Sequence, residues 1–104
     1  MIRTVFAEAA EEVADAATWY QGRRIGLGDA FLAEWQKALN LIYKDPISQP
    51  LVEYDVGSLE VRRCRLWKFP YAVFYVCRPD EVLIVAVAHG SQDPLYWLDR
   101  LPPH

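Results

Sequence analysis

No apolar run in this 104-residue chain approaches the length a bilayer demands. The longest, Val82 to Ala88, has only the length of a strand. The start is equally unlike a secretory signal: Met1-Ile2-Arg3-Thr4-Val5-Phe6 passes directly into Glu8, Glu11 and Glu12, with no basic leader followed by an apolar middle. A cytoplasmic protein without a membrane partner is the expectation. Cysteine is scarce: Cys64 and Cys77 are the only two, on segments that read as strands of one hairpin. Free, reduced core thiols are expected there, not a disulfide scaffold. With only His89 and His104 beside them, no compact metal-ligand spacing exists, and neither a metal nor a cofactor is expected.

Phosphate-binding loops are missing too. Gly26-Leu27-Gly28 is too short for one and follows a helix instead of a strand. There is no Gly-x-Ser-x-Gly elbow and no Cys–His nucleophile pair. Positive charge is in deficit: residues 1–57 hold five basic and nine acidic side chains, a net of −4, and residues 58–104 hold six basic and five acidic, a net of +1. A generic nucleic-acid binder presents a basic face. The one candidate here is Arg62, Arg63, Arg65 and Lys68, so wide electrostatic capture of nucleic acid is not expected.

What is present reads as one α+β domain over residues 1–104. Ile2 to Phe6 suggests a short first strand. A helix from about Ala7 to Arg24 carries Ala9, Val13, Ala16 and Tyr20 at spacings of three and four, with Ala10, Ala17 and Trp19 widening the apolar face. Gly26-Leu27-Gly28 breaks it, and Asp29 is placed to cap a second helix reaching to about Lys44. Phe31, Trp35, Ala38 and Ile42 form its stripe, with Leu32 and Leu39 beside it. The two helices read as a hairpin that must cover something apolar.

Asp45-Pro46 ends the second helix, because the residue before proline avoids helical angles. An irregular stretch from Ile47 to Gly57 follows, then strands at Leu59 to Leu66, Tyr71 to Cys77 and Val82 to Ala88, the last two joined by a turn on Pro79-Asp80. The last strand is apolar throughout, which argues for a central place covered on both sides, or for one face packed on the helices and the other shielded by the C-terminal segment. Asp93 to Arg100 reads as a short closing helix with Asp93 as cap and Pro94 in its first position. The order is β-α-α-β-β-β-α, a helical hairpin on a mainly antiparallel four-stranded sheet.

Two roles fit each chemically able residue. His89 stands at the end of the last strand and can exchange a proton near neutral pH; it can equally cap the strand by bonding to backbone or to Tyr96. Tyr96 and Trp97 can stack a base or clamp the terminal segment on the sheet. Arg100 can bind phosphate or favour a helix end. In a strand of alternating exposure Arg63 and Arg65 share a face; Arg62 lies on the other with Cys64 and Leu66, where Glu60 or a helix acid can pair with it. Guanidinium suits phosphate and carboxylate alike, so an acidic protein segment fits these arginines as well as nucleic acid does. Glu8, Glu11, Glu12 and Asp15 read as a solvated helix face.

Several of these residues together carry a family resemblance. Ala16-Ala17-x-Trp19-Tyr20, Gly28-x-x-Phe31, Asp45-Pro46, Val61-Arg62-Arg63, Phe69-Pro70-Tyr71-x-Val73-x-Tyr75 and Val85-Ala86-Val87-Ala88-His89-Gly90-x-x-Asp93-Pro94-x-Tyr96-Trp97-x-x-Arg100 cover nearly the whole chain. In this pattern the sequence resembles the RelE/ParE superfamily of type II toxin–antitoxin toxins, and within it the ParE or plasmid-stabilization branch.

The resemblance implies a small α+β toxin neutralised by a cognate antitoxin, in a toxin–antitoxin hetero-oligomer. RelE-type relatives cleave ribosome-bound message with arginine, lysine and a C-terminal tyrosine; ParE-like relatives inhibit DNA gyrase. The family arginine of the middle strand would fall at Ala72 and the basic residue beyond the last strand near Ser91; the second position of that loop, often arginine in ParE-like members, is Gln92; only Tyr96 matches a ribonuclease-type role. His89, Tyr96 and Arg65 are the catalytic candidates; Arg62, Arg63, Arg65, Lys68, Trp97 and Arg100 are the candidates for binding a partner. Gyrase inhibition through protein binding is the reading this pattern favours over message cleavage, with a non-toxic binding domain as the third.

Overall fold

The computed structural model describes residues 1–93 and 95–102. Strand β1 (Ile2–Val5) leads into helices α1 (Ala7–Arg23) and α2 (Leu27–Lys44), and strands β2 (Glu60–Arg65), β3 (Tyr71–Arg78) and β4 (Glu81–His89) follow. The sheet order is β1-β4-β3-β2. β2, β3 and β4 pair antiparallel, and β1 lies parallel to β4. This is the helical hairpin on a mainly antiparallel sheet that the sequence predicts.

The helical stripes bury as their spacing requires, except that Leu32, expected beside the α2 stripe, is 42% exposed. Ala9, Val13 and Ala16 from α1 and Phe31, Ala38, Leu39 and Ile42 from α2 meet Cys64, Val73, Tyr75, Ile84 and Val87 on one face of the sheet. The α1 stripe is narrower than expected: Ala10 and Trp19 are exposed, because the small alanines already bring the helix close to its neighbours. Trp19 instead receives the Arg23 guanidinium 4.3 Å over its ring.

The turn between the helices corrects the expected cap. Gly26, at φ 91°, is the N-cap of α2, and Asp29 lies inside the first turn. Gln21 does the capping: its side-chain oxygen accepts from the N–H groups of Gly26 and Gly28, both at 3.1 Å. A Cβ at Gly28 would stand 2.6 Å from the Ala17 carbonyl oxygen, so glycine sets how closely the helices pack here.

The second sheet face has its own core, built from Val61, Phe74, Val76, Leu83, Val85, Ala86, Ala88 and Trp97. Val52, Tyr54, Val56 and Leu59 cover it from the irregular segment, and Leu98 and Leu101 from the C-terminal one. β4 is therefore covered on both sides, as its unbroken apolar run demands. The segment before β2 opens with a 3₁₀ turn, Pro46–Ser48. It then lies along the outer edge of β2, where Val52 N–H donates to Val61 O at 2.9 Å and Arg63 N–H to Pro50 O at 3.0 Å. The closing helix is shorter than expected. A turn precedes a 3₁₀ helix, Leu98–Arg100, and Asp93 accepts from Leu95 N–H at 2.9 Å. Pro94, expected in the first position of that helix, lies outside the described residues. Cys64 and Cys77 are both free thiols.

One irregularity positions the site. Tyr75 pairs with Ile84 and Phe74 with Ala86, so Val85 is an extra residue in β4. This bulge flips the alternation: Val82, Ile84 and Val87 face the helices, while Leu83, Val85, Ala86 and Ala88 face away. It also turns backbone groups of the second half of β4 toward an edge that β1 is too short to cover, since the last bond on that side is Phe6 N–H to Ile84 O at 2.9 Å.

Candidate functional site

The ends of β2 and β4 and the start of β3 come together at one rim of the sheet. Arg65 pairs with Ala72, Ala72 with Ala88, and Tyr71 with His89. A cleft of about 390 Å³ opens here, with Arg63, Arg65, Tyr71, His89 and Gln92 around Ala72 and Ala88. The two alanines leave the space a longer side chain would fill. A second recess of about 430 Å³ lies toward α1 and shares Tyr71, His89 and Gln92 with the first.

His89 is held by the loop that follows it. Its Nδ1 accepts from Ser91 N–H at 2.9 Å and lies 2.7 Å from Ser91 Oγ, and its own backbone N–H donates to Gln92 Oε1 at 2.7 Å. A backbone N–H can only donate, so Nδ1 presents its lone pair and the proton of the neutral ring sits on Nε2. The free nitrogen is then a donor, not a base. The ring meets Tyr71 edge-on at 5.1 Å and makes no bond to Tyr96, the side-chain partner expected for it.

The three neighbouring arginines differ. Arg62 donates to Glu60 at 2.8 Å and to the Gln49 carbonyl, so it ties the irregular segment to β2; the Glu60 hydrogen bond raises its pKa further above its already high value. Arg63 reaches Glu53 at 3.4 Å, and its buried Nε has no partner among the described residues. Arg65 is exposed and makes no ion pair among the described residues. Arg63 and Arg65 do share a face, as the alternation predicts, and both line the cleft that His89 borders.

Tyr96 and Arg100 go elsewhere. Both bind Glu12 of α1: the Tyr96 hydroxyl donates to Oε2, and Arg100 donates to Oε1 at 3.0 Å and Oε2 at 3.2 Å. Glu12 Oε1 also accepts from Val87 N–H at 3.0 Å, and Arg100 donates to Val85 O at 3.0 Å. One carboxylate and one guanidinium thus satisfy the backbone groups that the bulge turns toward the uncovered edge of β4. Burial first, and then the hydrogen bond to Glu12, push the Tyr96 hydroxyl well above its ordinary pKa. Burial works against the Arg100 charge, but Glu12 outweighs it and raises that pKa.

The expected solvated acidic face is therefore wrong for Glu12, although Glu8, Glu11 and Asp15 are exposed. The signal was its position: Glu12 flanks the Ala9, Val13, Ala16 stripe, where a side chain can reach a sheet edge. Trp97 corrects a second expectation. It is 0% exposed, tilted against Phe74 at a ring separation of 4.9 Å, so it anchors the C-terminal segment and presents nothing to a partner. Lys68 is exposed on the β2–β3 connection. Of the catalytic candidates, the fold brings Arg65 and His89 to one cleft and commits Tyr96 to α1.

Among the described residues no cluster of histidine, cysteine and carboxylate side chains could hold a metal, and no helix is long and apolar enough to cross a membrane. No curated protein matches this sequence. Among solved structures, one titled "Chromosomal ParDE TA system from P. aeruginosa" superposes with a TM-score of 0.62 at 14% identity, covering 86% of this chain and 95% of that one. That likeness concerns the fold. The family profile described as "ParE toxin of type II toxin-antitoxin system, parDE" matches residues 5–94, from the end of β1 through the loop after His89. With most of its length matched to that profile, this chain belongs to the ParE toxin family of type II toxin–antitoxin systems.

Proposed function

We propose that this protein is a toxin that inhibits DNA gyrase by binding it, and that a cognate antitoxin neutralises it in a hetero-oligomer. The observation that carries this reading is the commitment of Tyr96 to Glu12 of α1, outside the cleft that Arg65 and His89 share. Cleavage of a phosphodiester needs an acid–base pair and donors for the charge developing on phosphate. Here Tyr96 is engaged by Glu12, His89 Nδ1 is occupied by the Ser91 N–H, and Ala72, Ser91 and Gln92 carry no positive charge. The solved relative is by its title a toxin–antitoxin system, which supports an antitoxin as the partner of this chain too. A gyrase target and an antitoxin partner would both be met in the cytoplasm, which is the localisation proposed with this function.

One observation favours a second reading. Arg63 and Arg65 line the same cleft as His89, so a ribosome-dependent ribonuclease has two cations available there. Expression with and without the product of the adjacent small gene tests the proposal. The protein alone should arrest growth, co-expression should restore it, and in arrested cells DNA synthesis should fail while messages stay intact. Codon-positioned message cleavage that vanishes in His89→Ala or Arg65→Ala would promote the ribonuclease, and growth without arrest would leave a non-toxic binding domain.

A further inference from the structure

We infer that the tip of the β2–β3 connection, with the adjoining face of α2, is the docking surface for an acidic segment of a protein partner that inserts one large apolar side chain. The inference rests on the toxin–antitoxin reading, and the partner is the antitoxin of that pair.

The tip is built against its own folding interest. Trp67 is 71% exposed beside Leu41 at 55%, although a tryptophan gains stability only by burial. The next residue, Lys68, adopts φ 70°, a left-handed conformation that glycine or asparagine would take at lower cost. Lys68 costs stability and Trp67 forgoes the gain of burial, and they are adjacent. Strain and unburied aromatic area kept at one rigid point are what a contact surface requires.

The point is rigid because Phe69 is sunk beneath it. Its ring lies 4.8 Å from Tyr20 and 5.2 Å from Phe31, and Leu66 N–H donates to Tyr71 O at 2.9 Å. Trp67 and Lys68 are thus displayed on a fixed base, which lowers the ordering cost of binding.

Shape and charge name the occupant. A notch of about 210 Å³ lies between Trp67, Leu66, Leu41 and Ala38, large enough for one apolar side chain. Lys37 and Arg65 line it and Lys68 follows Trp67; the only carboxylate there, Glu34, is buried and paired with Lys37 at 3.0 Å. This corner is cationic in a chain of net charge −3. A second copy docked face to face would oppose like charges, whereas carboxylates beside an apolar anchor would be matched. The cover on the β2 edge also stops at Arg63, so an extended segment can use the backbone groups of Arg65 beyond it.

Titration calorimetry of the purified protein with the adjacent gene's product tests this. Trp67→Ala should weaken binding at least about 30-fold, as an aromatic hot spot does. Lys37→Glu with Arg65→Glu should weaken it at least about tenfold and flatten its salt dependence. Ile25→Ala, at a 90% exposed site on the helical turn, should leave it within about threefold. Lys68→Gly should raise the thermal midpoint while weakening binding, a pairing that misfolding cannot mimic. Wild-type affinity in Trp67→Ala and in the double reversal would overturn the surface and leave the antitoxin reading standing. No binding by the wild-type protein would overturn both. Self-association of the wild-type protein that Trp67→Ala abolishes would assign the surface to a second copy and overturn the acidic partner.

Discussion

Replacing Glu12 by alanine should damage this protein more than any other change on the outward side of α1. Its carboxylate receives Val87 N–H, the Tyr96 hydroxyl and both ends of the Arg100 fork. Glu12→Ala strips these donors at once and leaves the Arg100 charge facing the β4 edge. Breaking a buried ion pair costs about 3–5 kcal/mol, and hydrogen bonds to charged groups contribute about 1.5–3 kcal/mol each. The Arg100 and Glu12 side chains are 17% and 20% exposed, so water offsets part of this loss. A cost of about 3 kcal/mol follows, against a total stability of about 5–15 kcal/mol for a domain of ordinary stability. The thermal midpoint should fall by roughly 12–24 °C. Urea melts followed by circular dichroism, with limited proteolysis of the C-terminal segment, would read both the loss and its location. Glu11→Ala, at an exposed site one residue away, should stay within about 0.5 kcal/mol of wild type. Equal effects for the two substitutions would refute the clamp.

Other perturbations follow from the same packing. Trp97→Ala should cost about 3–5 kcal/mol, read as a lower denaturant midpoint; an unchanged midpoint with weaker partner binding would make Trp97 a contact residue after all. Gly28→Ala should lower the melting temperature although alanine favours helix, because its Cβ would collide with the Ala17 carbonyl. Burial, reinforced by Glu60, pushes the Cys77 thiol up to about 11, so a thiol reagent at pH 8 should label it slowly. A raised native pKa stabilises the protonated state. Stability should therefore be full below pH 9 and fall as pH rises through the 9-to-11 window of Cys77 and beyond 10 for Tyr75 and Tyr96; urea melts from pH 8 to 11 would check this, with Tyr96→Phe reducing the decline.

The parts of this fold legible in the sequence are those whose burial is periodic. Ala9, Val13 and Ala16, then Phe31, Ala38 and Ile42, bury as their spacing demands, and β4 is covered on both faces because no residue from Val82 to Ala88 is polar. The same uniformity hides the bulge: in a strand apolar at every position, a one-residue slip leaves no mark in the pattern. Without the bulge nothing indicates that backbone groups of Val85 and Val87 need outside partners, and so nothing calls Glu12 or Arg100 to them. The cap of α2 was misplaced for a related reason. Asp29 is the residue type that caps, but Gln21, on the preceding helix, reaches the turn from across the hairpin. Alternation did place Arg63 and Arg65 on one face. That their face meets His89 at a single rim depends on strand order, which pairing across the sheet decides.

On the proposed function, this member of the ParE toxin family disables a protein and does not cut a message. Supercoiling of relaxed plasmid by reconstituted gyrase, with purified protein added and the adjacent gene's product then titrated in, tests it most directly. Supercoiling should fall with added protein and recover at stoichiometric antitoxin. Undisturbed supercoiling at saturating protein, with cleavage of ribosome-bound message by the same preparation, would contradict it.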